Sequence, residues 1–79
     1  MKTERWEDAV KTYREFIKKY PESPVIEDAH YYIGDAYQNM GKLREAKNAF
    51  SLILGDFPES KWTEVIYHRV QDLNSGLNA

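Results

Sequence analysis

The chain has no cysteine. No disulfide framework, thiolate metal site or cysteine nucleophile can therefore be built from its 79 residues. Charge of one sign is also missing: 11 Lys and Arg stand against 13 Asp and Glu, for a net charge of −2. The basic residues are dispersed along the chain rather than blocked. That distribution argues against a nucleic-acid platform or a polybasic membrane anchor. No apolar run approaches the ~18 residues that a membrane-spanning helix needs. The opening Met1-Lys2-Thr3-Glu4-Arg5 leads into an amphipathic segment and does not read as a secretory signal. Glycine and proline are scarce, with four and three copies.

Aromatic residues are plentiful: two Trp, six Tyr and three Phe. Large rings supply buried area that a chain of this size needs, because a domain this small buries only a little over ~60% of its unfolded surface. Length alone implies one domain.

Helical periodicity dominates the chain. Trp6, Ala9, Val10, Tyr13, Phe16, Ile17 and Tyr20 recur at steps of three and four, predicting helix 1 from about Thr3 to Lys19. Glu7–Lys11 and Glu15–Lys19 are spaced as i,i+4 pairs on its polar face. Ser23 followed by Pro24 predicts the cap and first turn of helix 2, ending near Met40. Gly41 can take the left-handed conformation that closes it. Helix 3 is expected over Lys42–Asp56, buried through Leu43, Ala46, Phe50 and Ile53, with Gly55 weakening its last turn. Pro58 stops it. Helix 4 follows Ser60 and carries Trp62, Ile66, Tyr67, Val70 and Leu73; Asn74-Ser75-Gly76 is expected to end it, leaving Leu77-Asn78-Ala79 frayed.

The chain also repeats itself. At an offset of 37 residues Ala9 falls on Ala46, Tyr13 on Phe50, Phe16 on Ile53, and Tyr20-Pro21-Glu22-Ser23 on Phe57-Pro58-Glu59-Ser60. Ala29 falls on Ile66, Ile33 on Val70 and Asp35 on Asp72. Gly34 and Ala46 are small enough for two helices to approach closely, and Tyr37 and Phe50 can fill the space beside them. The ordered set Ile33-Gly34, Tyr37, Gly41, Ala46, Phe50, Ile53, Pro58 resembles the tetratricopeptide repeat, whose usual period is about 34 residues. The resemblance runs from about Trp6 to Leu73. It implies an all-α fold, a right-handed superhelical stack of antiparallel helices. In this chain it would comprise the second helix of one repeat, one full hairpin and the first helix of the next. The pattern departs at Ile66 and Gln71, where the small residues Ala29 and Gly34 would recur.

The Tyr-Pro-x-Ser and Phe-Pro-x-Ser junctions, followed by Ala29-x-Tyr31-Tyr32-Ile33-Gly34-x-x-Tyr37, are most similar to envelope members of the superfamily. Those are the Tol–Pal-associated periplasmic type and the β-barrel-assembly lipoprotein type. The resemblance implies a non-catalytic protein-interaction scaffold that holds a partner protein or peptide in a concave groove. It also implies a periplasmic or outer-membrane setting, which composition does not show; a cytoplasmic location is the alternative.

In such proteins the first helix of each hairpin lines the groove, here helices 2 and 4. Asp28, Tyr31, Asp35 and Gln38 fall on one stripe of helix 2, and His68 and Asp72, with Arg69 beside them, on helix 4. These seven are the candidate partner contacts; the competing reading is a solvated helix face. One branch of the superfamily clamps a C-terminal carboxylate with Lys and Asn on this stripe. Tyr31, Asp35 and Asp28 stand at the matching positions here, and an acidic groove would repel such a group.

Other chemistry finds less support. His30 and His68 invite a metal reading, and Glu64–His68 has i,i+4 spacing, but no third ligand stands at recognisable spacing. Tyr31-Tyr32 beside Tyr37 reads as core and groove lining more readily than as a cofactor box, so no cofactor is expected. Asp28, Asp35, Asp72 and His68 could form an acid–base group only in an enclosed pocket, which a four-helix open stack does not offer. An alternative function is a homodimer paired through a face of helix 1 at Trp6, Val10 and Ile17, which an outer helix would cover in a longer array. A fragment of such an array is the other reading.

Overall fold

The computed structural model describes residues 4–78. Four helices follow one another: α1 (Glu4–Lys19), α2 (Ile26–Asn39), α3 (Leu43–Asp56) and α4 (Thr63–Asn78). Each packs on the next, α1 on α2, α2 on α3 and α3 on α4. The described residues contain no strand. The chain is thus all-α, a tetratricopeptide-like helical stack. Thr3, where helix 1 was expected to begin, and Ala79 lie outside the described residues.

One core runs through the stack. Phe50 and Ile53 of α3 and Ile66 and Leu73 of α4 are its fully buried large side chains, and Ala46 is sealed with them. From α2 come Ile33, Ala36 and Tyr37, and from α1 Val10. The molecule is a slab of 37 × 31 × 14 Å.

The two long junctions are built alike. Ser23 N–H donates to Tyr20 O at 3.1 Å and Ser60 N–H to Phe57 O at 3.0 Å. Ile26 N–H donates to Ser23 O and Thr63 N–H to Ser60 O, both at 3.1 Å. The serine hydroxyls accept from Val25 N–H and Trp62 N–H. Ala29 N–H to Val25 O and Ile66 N–H to Trp62 O then open the regular ladders. Each bond in one junction recurs 37 residues on in the other. Ser23 therefore caps a tight three-residue turn rather than α2 itself, whose own capping residue, Val25, makes no side-chain cap bond. This is why α2 begins two residues later than its serine suggests.

Gly41 closes α2 with φ of 79°. At the other end, α4 runs through Gly76 to Asn78, past the expected stop. A β-carbon on Gly76 would lie 3.0 Å from Leu43 Cδ1, so the end of α4 returns to the start of α3 and is held there. Tertiary packing overrides the local weakness of Asn74-Ser75-Gly76.

The ion pairs among the described residues are tertiary ones, Lys61–Asp28 and Arg69–Asp35. Lys19, expected to pair with Glu15, lies over the ring of Tyr20 at 5.5 Å.

Candidate functional site

Asp28, Tyr31, Asp35 and Gln38 all lie on the side of α2 that looks toward α4 and the turn before it. The structure joins four of the seven candidates, Asp35, Gln38, Arg69 and Tyr31, into one cluster. Arg69 donates through Nη2 to Asp35 Oδ1 at 3.1 Å and through Nη1 to Gln38 Oε1. Its guanidinium also sits 5.7 Å from the centre of the Tyr31 ring. Asp28 is held further along: Trp62 Nε1–H donates to its Oδ1 at 2.5 Å, and Lys61 Nζ lies 3.3 Å from the same oxygen. His68 and Asp72 are exposed on α4 and stand outside this cluster.

Tyr31 is the exception to an open groove. It is only 7% exposed. Trp62 lies flat on it, with ring centroids 3.9 Å apart and planes 9° from parallel, and Phe50 meets it from α3 at 5.5 Å. Tyr31 is the floor of the α2–α4 surface, not its lining. Lys61 and Trp62 were missed from the sequence. The signal that could have found Trp62 is the repeat: it falls one residue before the start of α4, at the place where Val25 precedes α2.

On the opposite side, α1 and α3 flank a trough of about 340 Å³ over α2. His30, Ile33 and Tyr37 form its bed, with Arg14 on one wall and Asn48 and Leu52 on the other. Arg14 donates to the Tyr37 hydroxyl. His30 is half-buried beside the Phe57 ring, 6.3 Å away. Burial holds its pKa below the ordinary histidine value, against an opposing pull from the Asp56 carboxylate. Its place is that of a packing residue. No group of three His, Cys, Asp or Glu able to hold a metal ion occurs among the described residues.

A family model described as YfiO, outer membrane lipoprotein, matches residues 1–79. The chain belongs to this family. No curated protein and no solved structure matches it. YfiO membership and the four-helix stack together agree with the tetratricopeptide resemblance of the Pro-Glu-Ser junctions and the Gly34 hairpin. They place the chain among helical-repeat proteins of the cell envelope. No helix among the described residues is long and apolar enough to cross a membrane.

The open face of this YfiO-family chain is not where the sequence pattern put it. Val10 is buried, and Trp6 and Ile17 are half-buried against the core. The exposed large apolar side chains nearby are instead Tyr20 and Val25, in the turn after α1, and Tyr32 of α2. α2 crosses α1 on the Val10 side and closes it.

Proposed function

We propose that the chain is a non-catalytic protein-interaction scaffold, working in envelope assembly at the periplasmic face of the outer membrane. Its partner protein or peptide lies along the surface that α2 and α4 share. The observation that carries this reading is the bridge from Arg69 to Asp35 and Gln38. It fixes three polar side chains from two helices in one geometry while leaving Arg69 and Asp35 each 30% exposed. A preset, half-exposed polar row costs a partner little ordering entropy. Asp28, Asp35, Gln38 and Arg69 supply the row, His68 and Asp72 its exposed edge, and Tyr31 the rigid floor beneath it. Asp28, Asp35 and Asp72 favour a partner segment with basic or hydrogen-bond-donating groups. Membership of an outer membrane lipoprotein family supports the location.

Site-specific photocrosslinking tests this. A crosslinker at position 68 or 72 should capture a discrete envelope protein, and Asp35→Lys should abolish the adduct. A crosslinker at Ser51, exposed on α3, should not capture it. Equal capture from position 51, or adducts indifferent to Asp35→Lys, would remove the α2–α4 surface as the binding face.

A further inference from the structure

Among the described residues, α1 and α3 both pack on α2 but not on each other, so the trough over Ile33 and Tyr37 stays open between them. Its bed is buried and its walls are exposed: Tyr37 is 9% and Leu52 39% exposed. Arg14 of α1 and Glu45 of α3, both exposed, carry opposite charges into the lining. They do not pair. The ion pairs among the described residues are Lys61–Asp28 and Arg69–Asp35, and neither involves them.

Arg14 is nevertheless held in place. It donates to the Tyr37 hydroxyl, and its guanidinium lies 5.6 Å from the centre of the same ring. Tyr37 is itself locked into the core. No carboxylate among the described residues lies within ion-pair distance of Arg14, so most of its N–H donors remain for a ligand. A guanidinium fixed on a buried ring has lost its side-chain freedom in advance, and its planar fork matches the two oxygens of a carboxylate.

Two further features narrow the ligand. Glu45 sets a negative charge against any incoming anion, so a singly charged group is favoured over a phosphate dianion or a dense anionic surface. Ile17 on the α1 side and Leu52 on the α3 side give the trough an aliphatic part beside the arginine. At about 340 Å³ it stands at the small end of the range for ligand sites, enough for a short piece of extended chain rather than a helix.

We infer that this trough binds an acidic residue within an extended segment of a partner protein, the carboxylate seated on Arg14 and a neighbouring aliphatic side chain lying between Ile17 and Leu52. Tyr37 positions the guanidinium, and Glu45 selects a monoanion. This face lies across α2 from the α2–α4 row, and the two surfaces stand or fall separately.

The test is NMR of the full chain titrated with two end-blocked peptides, acetyl-Leu-Glu-Leu-amide and acetyl-Leu-Gln-Leu-amide, and with inorganic phosphate. The blocked ends leave the glutamate as the one negative charge. The Glu peptide should give saturable shifts of the Arg14 Nε–H, the Tyr37 ring and the Leu52 methyl groups, with Asp35 and Arg69 unmoved. The Gln peptide should bind at least fivefold more weakly. Arg14→Gln should weaken the Glu peptide by a similar factor, and so should Leu52→Ser, at a position exposed enough to leave the fold intact. Glu45→Gln should raise phosphate binding at least twofold. No saturable shift with the Glu peptide, equal binding of the two peptides, indifference to both Arg14→Gln and Leu52→Ser, or phosphate binding more tightly than the Glu peptide to the unaltered chain would each overturn the inference.

Discussion

The ring of Phe50 stands where a side chain of residue 34 would begin: a β-carbon on Gly34 would meet Phe50 Cε1 at 2.6 Å and Cδ1 at 2.8 Å. Alanine is the better helix former, so helix propensity alone predicts that Gly34→Ala stabilises α2. Overpacking acts the other way and is larger, because Phe50 is fully buried and its ring can yield only by pushing on packed neighbours. Gly34→Ala should cost about 1–3 kcal/mol, and Gly34→Leu more. At ~4–8 °C per kcal/mol for a domain of this size, thermal melting resolves the sign easily. Phe50→Leu in the Gly34→Ala background should recover part of the loss.

Gly41 and Gly55 should respond in opposite directions. Gly41 has φ of 79°, so Gly41→Ala should destabilise by about 1–2 kcal/mol, while Gly41→Asn, which tolerates that region, should cost less. Gly55 is exposed in the last turn of α3, and a β-carbon there would meet nothing within 4 Å. Gly55→Ala should therefore stabilise by about 0.5–1 kcal/mol. Urea unfolding of the two variants side by side is the measurement.

Two of the side-chain bridges that join the α4 side of the molecule to α2, those of Arg69 and Trp62, should differ in weight. Arg69→Met removes an ion pair whose members are both 30% exposed, so it should change stability by no more than about 1 kcal/mol. Trp62→Ala removes a ring stacked on Tyr31 and the donor to Asp28, and should cost about 2 kcal/mol or more. Trp62→Phe keeps an aromatic face toward Tyr31 but loses the donor and part of the indole, so it should fall between them. Stability measured by denaturant, with Tyr31 exposure followed by near-ultraviolet circular dichroism, separates the three.

His30 gives the fold a pH dependence of defined sign. Its folded pKa lies below the ordinary value of 6.5 because burial disfavours the imidazolium. Below pH 6.5 the unfolded chain thus binds a proton that the folded chain resists, and stability falls as pH drops from 6.5 toward the lowered folded value. Melting between pH 7.5 and 5.5 should show this loss, and His30→Gln should flatten that part of the profile. A profile unchanged by the substitution would mean that His30 titrates alike in both states.

The helices were legible because their signals are local. The three- and four-residue spacing of Trp6 to Tyr20, the glycine after Met40 and the proline after Phe57 each act within a turn or two. The repeat was legible for a related reason: an ordered series of sizes from Ala9 to Ser23 recurs from Ala46 to Ser60, and equal side-chain sizes demand equal packing. Where local signals were weak they misled. Asn74-Ser75-Gly76 reads as a stop, yet α4 continues because Leu43 packs against it from α3.

The candidate surface was half legible. A helical stripe placed Asp28, Tyr31, Asp35 and Gln38 on one side of α2 from spacing alone. Which of them remain open to a partner depends on side chains more than thirty positions away. Trp62 comes down on Tyr31 and closes it, and Arg69 takes up Asp35 and Gln38. The open face of α1 was decided in the same manner, by the side on which α2 crosses it.

By itself, then, this sequence determined four amphipathic helices, the breaks between them and the 37-residue equivalence of their junctions. Those follow from backbone sterics, turn chemistry and side-chain size acting over short distances. Only the tertiary structure decided which aromatic rings became core and which became surface. Helical periodicity says which residues share a face, whereas burial depends on what arrives to cover that face from elsewhere in the chain.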